Sequence, residues 1–160
     1  MLKQEAISSQ GLSLAEANGL TVQQYRQQAN LGEAAMLRGQ FREANAHYQQ
    51  ALAMVRAPEF ASDLCVILNQ AGENFIKQDA YAEAENHFNE ALQLAQEKGF
   101  VRTIPFSFFG LAKVARATGN VVEARKLGEQ SRQQLLAIGN HKAKEVWWWL
   151  KELSSPAVPD

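Results

Sequence analysis

FREANAHYQQAL at residues 41–52 and YAEAENHFNEAL at residues 81–92 repeat one pattern at an offset of 40 residues. Both carry glutamate, alanine, histidine, an aromatic residue and an Ala-Leu pair in equivalent positions. A third copy, VVEARKLGEQSR at 121–132, follows at the same offset and keeps part of the pattern. A fixed period of this length is the sequence signature of a repeat architecture.

The segments that precede the three copies repeat as well. They are LGEAAMLRG (31–39), AGENFIKQD (71–79) and LAKVARATG (111–119), and they align Gly32, Gly72 and Ala112, then Gly39, Asp79 and Gly119. The first set of small residues lets two helices approach closely, and the aromatic residue of the following segment fills the space beside them. The second set marks three turns. The sequence therefore predicts three helical hairpins that must stack to bury their apolar faces.

These residues resemble the tetratricopeptide repeat, which places small residues, an aromatic residue and an alanine at set positions. Those positions hold Gly32, Ala44, Tyr48 and Ala51, then Gly72, Ala84, Phe88 and Ala91, while the third copy keeps Ala112 and Ala124 and lacks the aromatic. The period near 40 is similar to the longer-helix variety of kinesin light chain and several bacterial signalling regulators. The resemblance covers about residues 22–138. It implies an all-α fold, a right-handed α-α superhelix of about seven helices, which is an interaction module.

The predicted organisation follows from the turns and helix caps. We expect helices at about 22–38, 41–56, 58–78, 80–98, 103–118, 121–138 and 141–153, with Thr21 and Asn140 as N-caps of the first and last. This gives a partly ordered leader (1–20), a single domain (21–153) with repeats at about 21–58, 59–99 and 100–139, a capping helix (141–153) and a flexible tail (154–160). The capping helix is expected to shield the last repeat.

The overall composition excludes several classes of protein. A net charge of −1 gives no global attraction to nucleic acid or to an anionic membrane, so neither is expected as a partner. No stretch approaches 18 apolar residues, and the N-terminus lacks the apolar core of a signal peptide. The lone Cys65 fits a reducing compartment. We expect a cytoplasmic protein.

The resemblance implies a concave groove lined by the first helix of each hairpin. Transferring the family's groove positions to this chain selects Arg26, Ala29, Asn30, Glu33, Val66, Asn69, Gln70, Glu73, Lys77, Phe106, Phe109, Lys113 and Arg116. Amides, charges of both signs and two phenylalanines suit an extended or helical peptide. The alternative is that these residues are only solvated side chains and rim packing.

One subset of the family grips a partner's C-terminal carboxylate with lysine, asparagine and arginine at set groove positions. Here those positions hold Ala29, Glu33, Gln70, Phe106 and Gly110. The sequence therefore predicts no such clamp, and no binding of a chaperone's acidic tail through it.

The triplet Trp147-Trp148-Trp149 is the most unusual feature of the last helix. At about 100° per residue, Trp147 and Trp149 fall on the apolar arc with Val146 and Leu150, whereas Trp148 falls opposite. We expect Trp147 and Trp149 in the core and Trp148 in a homodimer or partner contact. The alternative is a Trp148 ring folded along the helix over Lys144 or Lys151.

Motifs for catalysis, cofactors and metals are missing from the sequence. There is no phosphate loop, dinucleotide fingerprint, zinc motif or hydrolase elbow. His47 and His87 are spaced by the repeat itself, and Cys65 sits at an apolar position without a histidine or aspartate at a meaningful spacing. We expect no enzyme, no cofactor and no metal site.

Three hypotheses for the function remain open. The first is a scaffold or adaptor that holds a peptide segment of another protein in its groove. The second is a structural or chaperone-like homo-oligomer that uses the Trp-rich last helix. The third and weakest is a sensor of a small ligand bound between groove and leader.

Overall fold

The computed structural model describes the backbone of residues 2–154 and the side chains of residues 17–153. Over this part the chain forms seven α-helices: α1 (Leu2–Leu37), α2 (Phe41–Met54), α3 (Ala61–Ile76), α4 (Tyr81–Lys98), α5 (Ile104–Ala117), α6 (Val121–Ala137) and α7 (Lys142–Ser154). A short 3-10 turn, Pro58–Phe60, leads into α3. Consecutive helices pack against one another throughout, and α3 also contacts α1 and α5. The predicted all-α superhelix of stacked hairpins is confirmed.

Left-handed residues end the helices where the sequence predicted turns. Gly39, Gly99, Gly119 and Gly139 have φ values of 77°, 72°, 86° and 67°. A glycine adopts this conformation without the steric cost of a Cβ atom. Asp79, at the position of Gly39 and Gly119, has φ 56°, and its carboxylate accepts a hydrogen bond of 2.6 Å from the Tyr81 hydroxyl.

The aromatic residue of each of the first two hairpins lies directly on a glycine. A Cβ atom on Gly32 would come within 2.9 Å of the Tyr48 ring, and one on Gly72 within 2.7 Å of the Phe88 ring. Both rings are almost completely buried. The pairing of small and aromatic residues that the repeat predicted is therefore observed between α1 and α2 and between α3 and α4.

Phe88 also touches the next hairpin. A Cβ atom on Gly110, in α5, would come within 2.3 Å of the Phe88 ring. The ring thus lies between Gly72 of its own hairpin and Gly110 of the following one. In the sequence, Gly110 is marked only as one of the clamp positions, and the repeat pattern does not indicate this packing role.

The third hairpin has no aromatic residue at the position of Tyr48 and Phe88, so a different side chain fills the space there. Gly128 stands there, and a Cβ atom on it would come within 2.8 Å of Leu150 in α7. Ala143, Val146 and Leu150 of α7 are buried against this hairpin. The last helix therefore supplies the apolar side chain that the third repeat lacks.

The start of α1 differs from the prediction. The helix begins at Leu2, so Thr21 is not an N-cap; its hydroxyl donates to the Ala17 carbonyl within the helix, at 3.0 Å. At the other end, the Asn140 side chain accepts from the Lys142 N–H at the start of α7. The domain boundaries stay a prediction, and residues 155–160 of the predicted tail lie outside the described residues.

No helix among the described residues is long and apolar enough to cross a membrane.

Gly110→Ala tests the contact between hairpins. The new methyl group cannot be accommodated by a shift of Phe88, because Gly72 already touches the same ring. Overpacking of this kind costs about 1–3 kcal/mol of unfolding free energy. Equilibrium urea denaturation of the variant measures the loss.

Gly19→Ala is the matched control, since Gly19 is also helical and nothing lies within 4 Å of its Cβ position. It should stabilise the protein by up to about 1 kcal/mol through helix propensity. Equal effects of the two substitutions would contradict the packing described for Phe88.

Candidate functional site

A cavity of about 620 Å³ opens on the side of the superhelix that α3, α5 and α7 share. Side chains of α3, α5, α7, the α4–α5 connection and the end of α1 surround it. They are Met36, Ser62, Val66, Asn69, Gln70, Glu73, Lys77, Arg102, Thr103, Phe106, Phe109, Lys113, Lys142 and Glu145. Pockets for ligands commonly have volumes of about 300–1,000 Å³. We call this cavity the groove.

The groove contains most of the side chains that the sequence assigned to it. Asn69, Gln70, Glu73, Lys77, Phe106, Phe109 and Lys113 all line it. They meet because α3 and α5 are first helices of successive hairpins and lie side by side. The binding role of these residues stays a prediction, whereas their convergence on one cavity is observed.

Two adjacent carboxamides at the floor of the groove have atoms without a hydrogen-bond partner. Asn69 is only 8% exposed, and its Oδ1 accepts from the Ser107 hydroxyl at 2.9 Å. The Asn69 Nδ2 and the Gln70 Oε1 are buried and have no partner. An unsatisfied buried polar group costs about 1–3 kcal/mol. Both atoms have almost no accessible surface, so a ligand in the groove can reach them only if the side chains turn.

Glu73 and Lys113 form an ion pair across the groove, from α3 to α5. The Lys113 Nζ also lies 4.6 Å from the centre of the Phe109 ring. The two charges offset each other, so neither faces a ligand as an isolated charge. Because both residues occupy the same position in successive repeats, 40 residues apart, the pairing was detectable in the sequence.

The apolar wall of the groove is formed by Val66, Phe106 and Met36. Val66 is 46% exposed although it is a large aliphatic residue on a packed helix. The Lys142 Nζ lies 5.5 Å from the centre of the Phe106 ring. This wall offers an apolar surface to a ligand beside the polar floor.

Five predicted groove residues do not line the cavity. Arg26, Asn30 and Glu33 are exposed on α1, and Ala29 of the same helix is buried in the core. Arg116 lies 3.7 Å from Glu152 of α7 and 5.6 Å from the centre of the Trp149 ring, so it packs against the last helix.

Several groove residues were missed by the sequence analysis. Arg102 and Thr103 come from the α4–α5 connection, Lys142 and Glu145 come from α7, and Met36 and Ser62 lie at helix ends. The family's groove positions describe only the first helices of the hairpins, so they could not indicate a contribution from a connection or from the last helix.

The three tryptophans are distributed differently from the prediction. Trp147 is 36% exposed, so its expected place in the core is wrong. The buried stripe of α7 is Ala143, Val146 and Leu150, and Trp147 falls at its edge. Trp149 is partly buried and meets the Phe109 ring edge-on at 5.4 Å.

Trp148 is 55% exposed, as its position on the helix indicated. Its ring lies 4.5 Å from that of Trp147. The Lys151 Nζ lies over Trp147, at 5.3 Å from the centre of its ring. The interface role of Trp148 stays a prediction.

The two histidines of the repeat each have a polar contact, and the cysteine is buried. His47 Nδ1 lies 2.8 Å from Gln28 Oε1, and His87 Nδ1 lies 2.8 Å from the Glu83 carbonyl oxygen. Within the described part of the chain, no three His, Cys, Asp or Glu side chains are grouped so that they could hold a metal ion. Cys65 is fully buried, and burial raises the pKa of its thiol to about 11.

The Cys65 thiol should react slowly while the protein is folded, because the thiolate is the reactive form and the raised pKa suppresses it. At pH 8, we expect alkylation by iodoacetamide to be at least about tenfold slower in the native protein than in guanidinium. Mass spectrometry of timed samples measures both rates.

A Ser62→Cys variant in a Cys65→Ala background provides the control, since residue 62 is exposed on the same helix. Its native and denatured rates should be similar. A Cys65 thiol that reacts equally fast in both states would contradict its burial.

Comparison with known proteins identifies the repeat. Residues 25–97, which span the first two hairpins, match the family model of the tetratricopeptide repeat. No curated protein matches the sequence. The structure of the apo form of RapI is similar, with a TM-score of 0.77 and 13% identity, over 93% of this chain and 56% of RapI. The chain thus spans little more than half of that relative.

Two further structures share the fold. The N-terminal domain of stress-induced protein-1 (STI-1) from C. elegans has a TM-score of 0.62 and 15% identity, over 84% of this chain and 98% of that domain. The TPR2AB domain of yeast Sti1, in its pHSP90 complex, has a TM-score of 0.66 and 17% identity, over 81% and 46% of the two chains. None of these findings supports the possible homodimer.

The family match over two hairpins, the third hairpin at the same spacing of 40 residues and the shared superhelical fold lead to one conclusion. The chain resembles tetratricopeptide repeat proteins: it matches their family model over residues 25–97 and shares the fold of the similar structures.

Proposed function

We propose that the chain is a non-catalytic scaffold that binds a peptide segment of a partner protein in the groove. Tetratricopeptide repeats are interaction modules, and the yeast Sti1 domain of similar fold is described in complex with pHSP90. The identity of the partner of this chain is not implied by that likeness. The groove itself supplies the more specific support.

The observation that carries the proposal is that two groove residues hold unpaired carboxamide atoms, Asn69 Nδ2 and Gln70 Oε1. A peptide main chain offers one carbonyl acceptor and one N–H donor per residue, which is the complementary pair. If the two side chains turn toward a bound main chain, it would satisfy both carboxamides and remove the cost of leaving them unpaired. The Ser107 hydroxyl donates to the Oδ1 of the same Asn69 carboxamide, which links α5 to α3 at the groove.

The apolar wall complements this polar floor. Val66 and Phe106 stand beside Asn69 and Gln70 in the same cavity. A side chain of the ligand that covered them would remove apolar surface from water, at about 25 cal/mol per Å². Main-chain hydrogen bonds and one or two buried side chains together are a common way to bind a short segment.

An Asn69→Ala/Gln70→Ala double variant tests this proposal. A dodecapeptide library displayed on phage is selected on the wild-type protein, and the affinities of recovered peptides are measured by fluorescence anisotropy. Loss of two hydrogen bonds of ordinary strength should weaken binding about ten- to thirtyfold. Circular dichroism confirms that the variant is folded.

Asn89→Ala/Gln93→Ala is the matched control, because it removes the same two side-chain types from exposed positions of α4. It should bind the selected peptides with unchanged affinity. The proposal fails if no peptide is recovered by the wild-type protein, or if the two double variants lose affinity equally.

A further inference from the structure

The charges of the chain are segregated, although the net charge is only −1. Residues 102–153 contain nine lysines and arginines and four acidic residues, a net charge of +5. Residues 1–101 contain seven basic and twelve acidic residues, a net charge of −5. A basic region of this size attracts acidic partners and raises their association rate.

The groove shares this positive charge. Lys77, Arg102, Lys113 and Lys142 line it, against only Glu73 and Glu145. Lys113 is engaged by Glu73. Among the described side chains, Arg102, Lys77 and Lys142 have no carboxylate partner, and Glu145 is the acidic residue that remains to offset them.

Two of these cations lie at the same end of the groove. Arg102 stands just before α5, and Lys142 is the first residue of α7. Since α5 and α7 are separated by one antiparallel helix, their amino ends point the same way. The partial positive charge of these helix ends adds to that of the two side chains. The Phe106 ring beneath Lys142 holds its ammonium group at the groove.

We propose that this end of the groove binds an acidic side chain, aspartate or glutamate, of the bound peptide. The inference rests on the proposed function and adds the chemical class of the ligand. The carboxylate pairs with Arg102 and Lys142, while the main chain beside it meets Asn69 and Gln70. Neither cation occupies a position of the family's carboxylate clamp, which holds Ala29, Glu33, Gln70, Phe106 and Gly110 here.

A peptide fits these observations better than a nucleic acid. The orphaned floor atoms are one donor and one acceptor of amide type, which complement a main chain. The cations around the groove exceed the carboxylates by two, whereas a nucleic-acid backbone is usually met by a longer track of phosphate contacts.

The test compares the sequences that phage selection recovers on three proteins. The wild-type protein should enrich aspartate and glutamate at least twofold over the input dodecapeptide library. Arg102→Gln/Lys142→Gln should lose this enrichment and bind the wild-type pool about tenfold more weakly. The affinity of the wild-type protein should also fall more steeply than that of the variant between 50 and 300 mM NaCl.

Lys98→Gln/Lys144→Gln is the control, because both lysines are exposed and lie outside the groove. It removes the same formal charge and should keep the acidic enrichment. If the control loses it equally, the effect is one of net charge and the inference is wrong.

The remaining outcomes separate the two proposals. Recovery of neutral or basic peptides whose binding depends on Asn69 and Gln70 would overturn the acidic ligand and leave the peptide-binding function in place. Recovery of no peptide would overturn both. If a labelled 20-nucleotide single strand binds through Arg102 and Lys142 and no peptide binds, the ligand of this end of the groove is a nucleic acid and not an acidic peptide.

Discussion

The fold depends on the Phe88 ring, which lies between two glycines from different hairpins. Gly72 and Gly110 each leave room for the ring where any Cβ atom would collide with it. One buried side chain therefore fixes both the closure of the α3–α4 hairpin and the position of α5 beside it. Since α3 and α5 both line the groove, the same contact helps to position the two helices that carry most of the candidate site.

The last helix completes this arrangement in a different way. The third repeat lacks the aromatic residue, and Leu150 of α7 occupies the space at Gly128 instead. The same helix brings Lys142 and Glu145 to the groove. The helix that packs on the third hairpin thus also lines the groove.

The sequence predicted the features that the repeat alone determines. The spacing of Gly32 to Tyr48 and of Gly72 to Phe88 reflects helix contacts inside one hairpin, and these were correctly anticipated. Features that depend on contacts between distant elements were missed. Asn74, for example, is fully buried and donates to the Phe41 carbonyl at 2.9 Å, a contact across two hairpins that no local pattern indicates.

The candidate site, too, was predicted from the sequence only in part. Equivalent positions of α3 and α5 reached the groove as expected. Arg102 and Lys142 were missed because they are not among the family's groove positions, although the two residues are themselves 40 apart. The burial of Trp147 was predicted wrongly because a helical wheel gives only the direction of a side chain around the helix axis. It does not show how wide a strip of α7 the neighbouring helices cover. A stripe as narrow as Ala143, Val146 and Leu150 leaves the edge residue exposed.

The most direct test of this account is a nuclear Overhauser measurement on the full chain, with the Phe88 ring protons selectively observed. Strong cross-peaks to the α-protons of both Gly72 and Gly110 are predicted, since the ring touches both residues. Cross-peaks to Gly72 alone would show that the hairpins do not stack through Phe88, and would contradict both the packing and the groove that depends on it.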